Sequence, residues 1–265
     1  MVAGQPDFWR KQTTATPLFD DMLWSRPENR LQAGRLLVVG GNAHGFAAPA
    51  EAYSLANKAG VGSVRVMLPD ALQKNVSKLF PEAEYAPSTP SGSFATNALG
   101  ELLPAAQAAD GVLLAGNLGR NSETAILLES FLAKYDGQLA LTKDAIEYVS
   151  SQPTLVQQRQ NTLLVLSFSQ LQKLVSALKF PKAVSLQMDL LRAVDLLHEL
   201  TTQFPFFIIT KHLDTIFVAV GGQVSSTPCP VDERLWRLRV ASAAAVWWLQ
   251  NPGQPFAALT TSLVV

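Results

Sequence analysis

Polar residues follow several apolar runs of this sequence, and the first group stands in LLVVGGNAHGFAAP at residues 36–49. Four aliphatic residues lead into paired glycines and then into a loop that carries Gly41, Asn42 and His44. Branched apolar runs that end in glycines are typical of buried parallel strands, and open α/β sheets bind ligands at the carboxyl ends of such strands. The loop is therefore either a ligand site or a tight turn into a helix. For His44, a solvated loop position is the favoured interpretation.

Two later residues could also carry chemistry at strand ends. Asp144 follows the apolar run QLALT and could act as a base or position a magnesium ion. It could equally cap a helix that begins at Ala145, a common use of aspartate, and we favour the cap. Lys211 ends the apolar run FFIIT, where it could neutralise a phosphate as a point charge or reach solvent.

Three arginines recur in the segment RLWRLR, at positions 234, 237 and 239. Arginine recognises phosphate through two parallel hydrogen bonds, so the set could bind an anion. The alternative is a solvated helix face paired with Asp232 and Glu233, which is the more common situation for such a set. We favour the solvated face.

Composition excludes several classes of site and partner. Lys plus Arg and Asp plus Glu number 21 each, so no net field attracts nucleic acid or an anionic membrane. Three scattered histidines and one cysteine supply no metal site, and Cys229 has no adjacent basic residue that would activate it as a nucleophile. The single cysteine, together with the absence of a signal-peptide pattern, predicts a cytoplasmic protein.

The order of apolar runs predicts the elements that would position these residues. Residues 1–33 are polar and carry three prolines, which favours an N-terminal arm, and residues 34–265 form one domain. In that domain strand-like and helix-like segments alternate, which predicts a three-layer α/β fold with a mostly parallel sheet of about eight strands. Residues 185–203 predict an amphipathic helix, and the three runs that follow predict antiparallel strands.

Several of these residues, taken in order, resemble the NAD(P)H-hydrate dehydratases of the ribokinase-like superfamily, from near Trp24 over most of the chain. The family's paired glycines, Gly-Ala-Pro-like element and Ala-Gly-x-Gly helix end match residues 40–41, 47–49 and 59–62, with Ala47 in place of a glycine. AGNLGR at 115–120 and Lys211 with Thr215 match two later elements, with His212 in place of a glycine. The resemblance implies a ribokinase-like fold, a substrate site at Gly41, Asn42, Ala48, Gly116 and Asn117, and ADP or ATP held weakly by Lys211 and Thr215.

Three departures from the family pattern fall on its catalytic elements. Thr142 stands where the family has the first aspartate of a pair, and Ser169 stands where it has a histidine. RLWRLR at 234–239 replaces a Gly-Gly-Ser-Gly-Asp segment, whose glycines let backbone N–H groups converge on phosphate. We therefore expect an inactive or impaired relative that is retained to bind a ligand or a partner. An active ADP- or ATP-dependent dehydratase and a small-molecule kinase remain the alternatives.

Self-association is the last expectation. Charged residues make up only 16% of the chain, and Trp247 and Trp248 stand side by side in an apolar helix. An exposed apolar surface of that kind is typical of a contact between chains, and the resemblance implies an oligomer because the bacterial members of the family are oligomers. We therefore expect a homo-oligomer.

Overall fold

A computed structural model of the chain describes residues 6–229 and 236–264. Within those residues, ten strands form one sheet, in the order β1-β10-β9-β8-β7-β6-β5-β2-β3-β4. The strands are β1 Trp9–Lys11, β2 Arg35–Gly40, β3 Ser63–Pro69, β4 Ala83–Ala86, β5 Gly111–Gly116, β6 Gln138–Thr142, β7 Thr162–Ser167, β8 Phe207–His212, β9 Thr215–Val220 and β10 Gln223–Pro228.

Eleven α-helices accompany these strands in the described part of the chain. They are α1 Asp20–Trp24, α2 Ala47–Lys58, α3 Gln73–Val76, α4 Leu99–Gln107, α5 Ser122–Lys134, α6 Ala145–Ser151, α7 Thr154–Gln157, α8 Phe168–Ala177, α9 Leu190–Gln203, α10 Trp236–Gln250 and α11 Pro255–Thr261.

The sheet is parallel through its centre because the middle strands are apolar on both faces. All six residues of β5 are buried, and every neighbouring pair of strands from β4 across the sheet to β8 is parallel. Strands of this kind need helices on both sides, and two large apolar clusters lie on opposite faces of the sheet. The predicted α/β class and the mostly parallel sheet are confirmed, as are the antiparallel pairs of β8, β9 and β10.

Part of the segment predicted as an N-terminal arm belongs to the sheet. β1 pairs in parallel with β10, and the indole nitrogen of Trp9 donates to Ser226 Oγ at 2.9 Å. The side-chain amide of the buried Gln12 donates to Thr227 Oγ1 and to the carbonyl oxygen of Thr260. These polar contacts hold the edge strand together with the burial of Trp9, and an apolar pattern does not reveal them. The domain boundary at residue 33 stays a prediction.

The predicted helix over residues 185–203 begins later than expected, at Leu190. Asp189 is its N-cap, and the carboxylate accepts a hydrogen bond from the backbone nitrogen of Arg192. The apolar stripe predicted for this segment comprised Leu186, Leu190, Leu191, Val194, Leu197 and Leu200. Leu186, which lies before the cap, and Leu191 are exposed, so the prediction was wrong for these two residues. Leu190 is half-buried, and the other three are buried.

Trp247 and Trp248 are not available for the apolar surface patch that the sequence suggested. Their relative exposures are 1% and 2%, because α10 packs on both α2 and the sheet. The argument for self-association from these two residues was therefore wrong, and the oligomeric state itself stays a prediction. Over the described residues, no helix is long and apolar enough to cross a membrane.

Candidate functional site

The carboxyl ends of β2, β5, β6, β7 and β8 meet at one edge of the sheet, because these five strands run in the same direction. We call this region the strand-end edge. It brings together the residues that end or follow these strands, namely Gly41, Gly116, Asp144, Ser167 and Lys211. Their common position follows from the parallel topology of these strands.

The glycines at the ends of β2 and β5 are required by a close approach of two backbones. The nitrogen of Gly41 donates to the carbonyl oxygen of Gly116 at 3.0 Å, and the pairing register shifts between Val39 and Gly40. A Cβ atom at Gly40 would lie 2.3 Å from that same carbonyl oxygen. Gly41 and Gly116 also have positive φ angles, which glycine adopts without strain. These observations favour a tight strand end over a loop held open for a ligand.

Two asparagines of the expected substrate site bind their own protein. Asn42 Nδ2 donates to the carbonyl oxygen of Asn117 at 2.6 Å, and Asn42 Oδ1 accepts from the backbone nitrogen of His44. Asn117 Oδ1 accepts from the backbone nitrogen of Ala48 at 2.9 Å, so it satisfies one N–H group in the first turn of α2. Ala48 is buried and His44 is exposed. The predicted substrate residues therefore lie together, and these hydrogen bonds hold their loops closed.

Asp144 occupies the N-cap position of α6, but its side chain does not cap the helix. Its Oδ2 accepts instead from the backbone nitrogen of Gly119 at 3.2 Å, across the strand-end edge. Its Oδ1 is buried and has no hydrogen-bond partner among the described residues. Burial raises the pKa of this carboxyl group, while backbone hydrogen bonds from Gly119 and its neighbours oppose the rise. The favoured cap interpretation was wrong for the side chain, and Asp144 is a buried carboxyl beside the loop after β5.

Lys211 lies at the same edge, half-buried near the end of β8. Its backbone pairs with Ser167 of β7 and Ile216 of β9, and Thr215 begins the next strand opposite His212. His212 is buried, its Nε2 donates to the carbonyl oxygen of Met188 at 2.7 Å, and its ring stacks on a neighbouring aromatic ring. Where the family has a glycine between its lysine and threonine, this chain has a packed imidazole.

Gln170, which the sequence analysis did not single out, is the centre of the hydrogen-bond network at this edge. Its Oε1 accepts from Arg237 Nη1 at 2.8 Å and from the backbone nitrogen of Ser167 at 3.1 Å. Its Nε2 donates to the carbonyl oxygen of Lys143 at 2.8 Å and to Glu147 Oε1 at 3.1 Å. The network joins α6, α8 and α10. One signal could have found it, because SFSQ at 167–170 matches a capping box.

Arg237 differs from the solvated residue that the sequence predicted. Burial lowers the pKa of its guanidinium group, while the charge of Glu147 raises it. Burial also raises the pKa of Glu147, but hydrogen bonds from Gln170 and Lys173 bring it below its usual value. Arg237 thus belongs to the Gln170 network, Arg239 is exposed, and Arg234 lies outside the described residues. Ser169, at the family's histidine position, is exposed beside Ser167.

The arrangement offers two cations, a buried carboxyl and several hydroxyl groups, but it offers no metal centre. Among the described residues, no three His, Cys, Asp or Glu side chains cluster closely enough to hold an ion. Thr142, which stands where the family has the first aspartate of its pair, is buried with no partner for its hydroxyl in the described chain. A divalent ion would therefore find Asp144 without the second acidic ligand.

Comparison with known proteins gives matches among solved structures alone. No family model and no curated protein matches the chain. A ribokinase-like superfamily protein from Enterococcus faecalis is similar, with 17% identity over 98% of this chain and 87% of that one, at a TM-score of 0.72. The ADP/ATP-dependent NAD(P)H-hydrate dehydratase of Bacillus subtilis, co-crystallised with ATP and Mg²⁺, matches at 14% identity over 93% and 86%, with a TM-score of 0.59.

A more distant match is the phosphomethylpyrimidine kinase of Clostridium difficile, with 10% identity over 86% of this chain and 96% of that one, at a TM-score of 0.53. Identities this low carry information about fold and not about activity. The chain has the ribokinase-like fold, as the sequence resemblance implied, and it is a divergent example of it.

Proposed function

We propose that this ribokinase-like chain is a catalytically inactive relative of the NAD(P)H-hydrate dehydratases that keeps its strand-end edge as a weak site for an anionic small molecule. An adenine nucleotide, ADP or ATP, is the first candidate ligand. The observation that carries the proposal is the hydrogen bond between Arg237 and Gln170. It belongs to the first described turn of α10, the helix that begins where the family has its glycine-rich phosphate segment.

The first described turn of α10 is unsuited to the chemistry of that segment. A phosphate cradle needs glycines so that successive N–H groups can converge on one anion. Here Trp236 and Leu238 are buried in the apolar cluster beneath α10, and Arg237 between them contacts α8 through Gln170. In this turn side chains pack against the domain where the family's backbone would bind phosphate, which supports a loss of catalysis.

The positive groups of the edge support the binding half of the proposal. Lys211 supplies a point charge, and the half-buried guanidinium of Arg237 can donate to phosphate oxygens. The B. subtilis dehydratase was co-crystallised with ATP and Mg²⁺. In this chain we expect lysine and arginine to neutralise the phosphates, because Thr142 and Asp144 do not supply a pair of carboxylates for the metal.

One observation favours the alternative of an active enzyme. The carboxyl group of Asp144 is buried, its pKa is raised, and its Oδ1 lacks a partner among the described residues. A buried carboxyl group with a raised pKa is a candidate general acid. An active dehydratase or a small-molecule kinase would use Asp144 for proton transfer.

One set of measurements separates these functions. Hydrated NADH is supplied with ADP or ATP, and the return of reduced-nicotinamide absorbance is followed; we expect no rate above the uncatalysed reaction. Calorimetry with ADP should give a dissociation constant of about 1 mM, weakened roughly tenfold in Lys211→Ala and Arg237→Ala. The exposed Lys134→Ala on α5 is the matched control. Turnover of about 1 per second would overturn the proposal, since it lies in the ordinary enzyme range.

The remaining parts of the proposal concern assembly and location. We propose a homo-oligomer in the cytoplasm, on the scarcity of surface charge and on the single, half-buried Cys229. Light scattering at micromolar concentration is the test of assembly. A mass of 28.6 kDa, that of one chain, would contradict it.

A further inference from the structure

A groove of about 180 Å³ lies between α2 and α10, away from the Gln170 network. On α10 it is lined by Arg239, Ala243 and Trp247, which recur every four residues and so form one stripe of the helix. Ala243 is half-exposed, and its small side chain between two long ones leaves the depression. The groove is therefore a consequence of residue size at a fixed helical spacing.

The second wall comes from α2 and from the segment after α1. Leu55, Lys58 and Ala59 stand three and four residues apart at the end of α2. Arg26 closes the groove, because its guanidinium carbon lies 4.7 Å above the ring of Trp247 and its Nη2 donates to the carbonyl oxygen of Ala59. The cation–π contact fixes this arginine at the rim.

The charge of the groove has one sign. Three of its seven lining residues are cationic, namely Arg26, Lys58 and Arg239, and none of the seven is acidic. Like charges along a concave wall focus a positive potential and attract a counter-ion. Phosphate is recognised by arginine guanidinium groups, which donate two parallel hydrogen bonds, and by the point charge of a lysine ammonium group. The other four lining residues are apolar, so a ligand here would combine an anionic end with an apolar part.

We propose that this groove binds a small phosphate monoester whose apolar group packs between Leu55 and Ala243. The volume lies below the usual range of ~300–1,000 Å³ for ligand pockets, which favours a compact monoester over a nucleotide. The site is independent of the proposed function, because Arg237, two residues before Arg239, contacts α8 on another side of α10.

Titration calorimetry with phenyl phosphate on the full chain tests this site, with benzyl alcohol as the uncharged probe. At about pH 7.5 the monoester carries nearly two negative charges. We expect saturable binding at the groove with a dissociation constant between about 10 µM and 1 mM, and no binding of benzyl alcohol. Lys58→Ala should weaken binding about tenfold by removing one charge-assisted hydrogen bond, and Ala243→Leu should abolish it by filling the floor. Both positions are at least partly exposed, so the fold should tolerate the changes.

Two control variants make the result decisive. Lys134→Ala, an exposed lysine on α5, should leave the affinity within twofold of the unchanged chain. Arg237→Ala should do the same, since that residue belongs to the strand-end edge. Absence of saturation up to about 10 mM phenyl phosphate would overturn the proposal. It would equally be overturned if Arg237→Ala weakened binding while Lys58→Ala did not, because the anion would then occupy the strand-end edge.

Discussion

The strand-end edge has two halves that are closed by different means. At β2 and β5 the backbones themselves meet, and Gly40, Gly41 and Gly116 leave no room for side chains between them. At β6, β7 and β8 side chains fill the edge, with Gln170 and Arg237 at the centre. The backbone half follows from strand pairing and tolerates little variation. The side-chain half depends on a few residues whose replacement changes the chemistry and leaves the fold in place.

The largest effect should come from a side chain added to the backbone half. Gly40→Ala would place a Cβ atom 2.3 Å from the carbonyl oxygen of Gly116, and two central strands would have to separate. We expect a loss of about 3 kcal/mol in the free energy of unfolding, measured by urea denaturation. Gly45→Ala, in the neighbouring loop, has open space around its new Cβ and should change stability by less than about 0.5 kcal/mol. Equal effects at both positions would show that the close approach of β2 and β5 does not restrict the backbone half.

A smaller loss is expected when the centre of the side-chain half is removed. Gln170→Ala leaves the half-buried guanidinium of Arg237 and the carbonyl oxygen of Lys143 without their partner. Unfolding free energy should fall by about 2 kcal/mol, the usual cost of stranding buried polar groups. Ser169→Ala changes an exposed hydroxyl next to it and should cost less than about 0.5 kcal/mol. If Gln170→Ala proves as mild as Ser169→Ala, the network does not hold α10 in place.

The smallest effect, and one that depends on pH, concerns Asp144 where the halves meet. Its pKa is raised by burial above 3.8, so the folded state holds this proton more tightly than the unfolded chain does. The carboxyl therefore costs stability as pH rises from 3.8 through the folded pKa, and it costs nothing below 3.8. Asp144→Asn should stabilise the chain by about 1 kcal/mol at pH 7, and this gain should vanish by about pH 3.5.

Denaturation curves of Asp144→Asn and the unchanged chain at several pH values check the sign. A gain that does not depend on pH would show that packing, and not charge, sets the cost of this residue. Destabilisation at pH 7 would show that the ionised carboxylate is favoured by the N–H of Gly119 more than it is penalised by burial.

The sequence predicts those parts of the fold that repeat a strong local pattern. Apolar runs such as GVLLAG and TLLVLS can only be buried strands, and their alternation with helices implies a parallel sheet. β1 escapes such reasoning, because its three residues pair with a strand more than 200 positions away through polar contacts. The start of α9 could have been predicted from Asp189, because aspartate is favoured at N-caps. The leucine that precedes it extended the apparent apolar stripe and so moved the predicted start to residue 185.

Prediction of the candidate site was poorer than prediction of the fold. Spacing locates Asn42, Asn117 and Asp144 at one edge, but it does not say what their polar atoms contact. Arg237 lies between two apolar residues of a helix, and a simple face assignment places it in solvent. Its contact with Gln170 depends on how α10 and α8 meet, which is a property of tertiary packing and not of either segment alone.

The position of β1 has a consequence for the order of events during synthesis. Residues 9–11 leave the ribosome before their partner β10, which is made more than 200 residues later. At the usual ~5–20 residues per second, the first strand waits ten seconds or longer before it can dock. Until then β1 presents an unpaired row of N–H and C=O groups, on which chains can pair wrongly with one another. Slower elongation should therefore raise aggregation during synthesis and leave the stability of the finished protein unchanged.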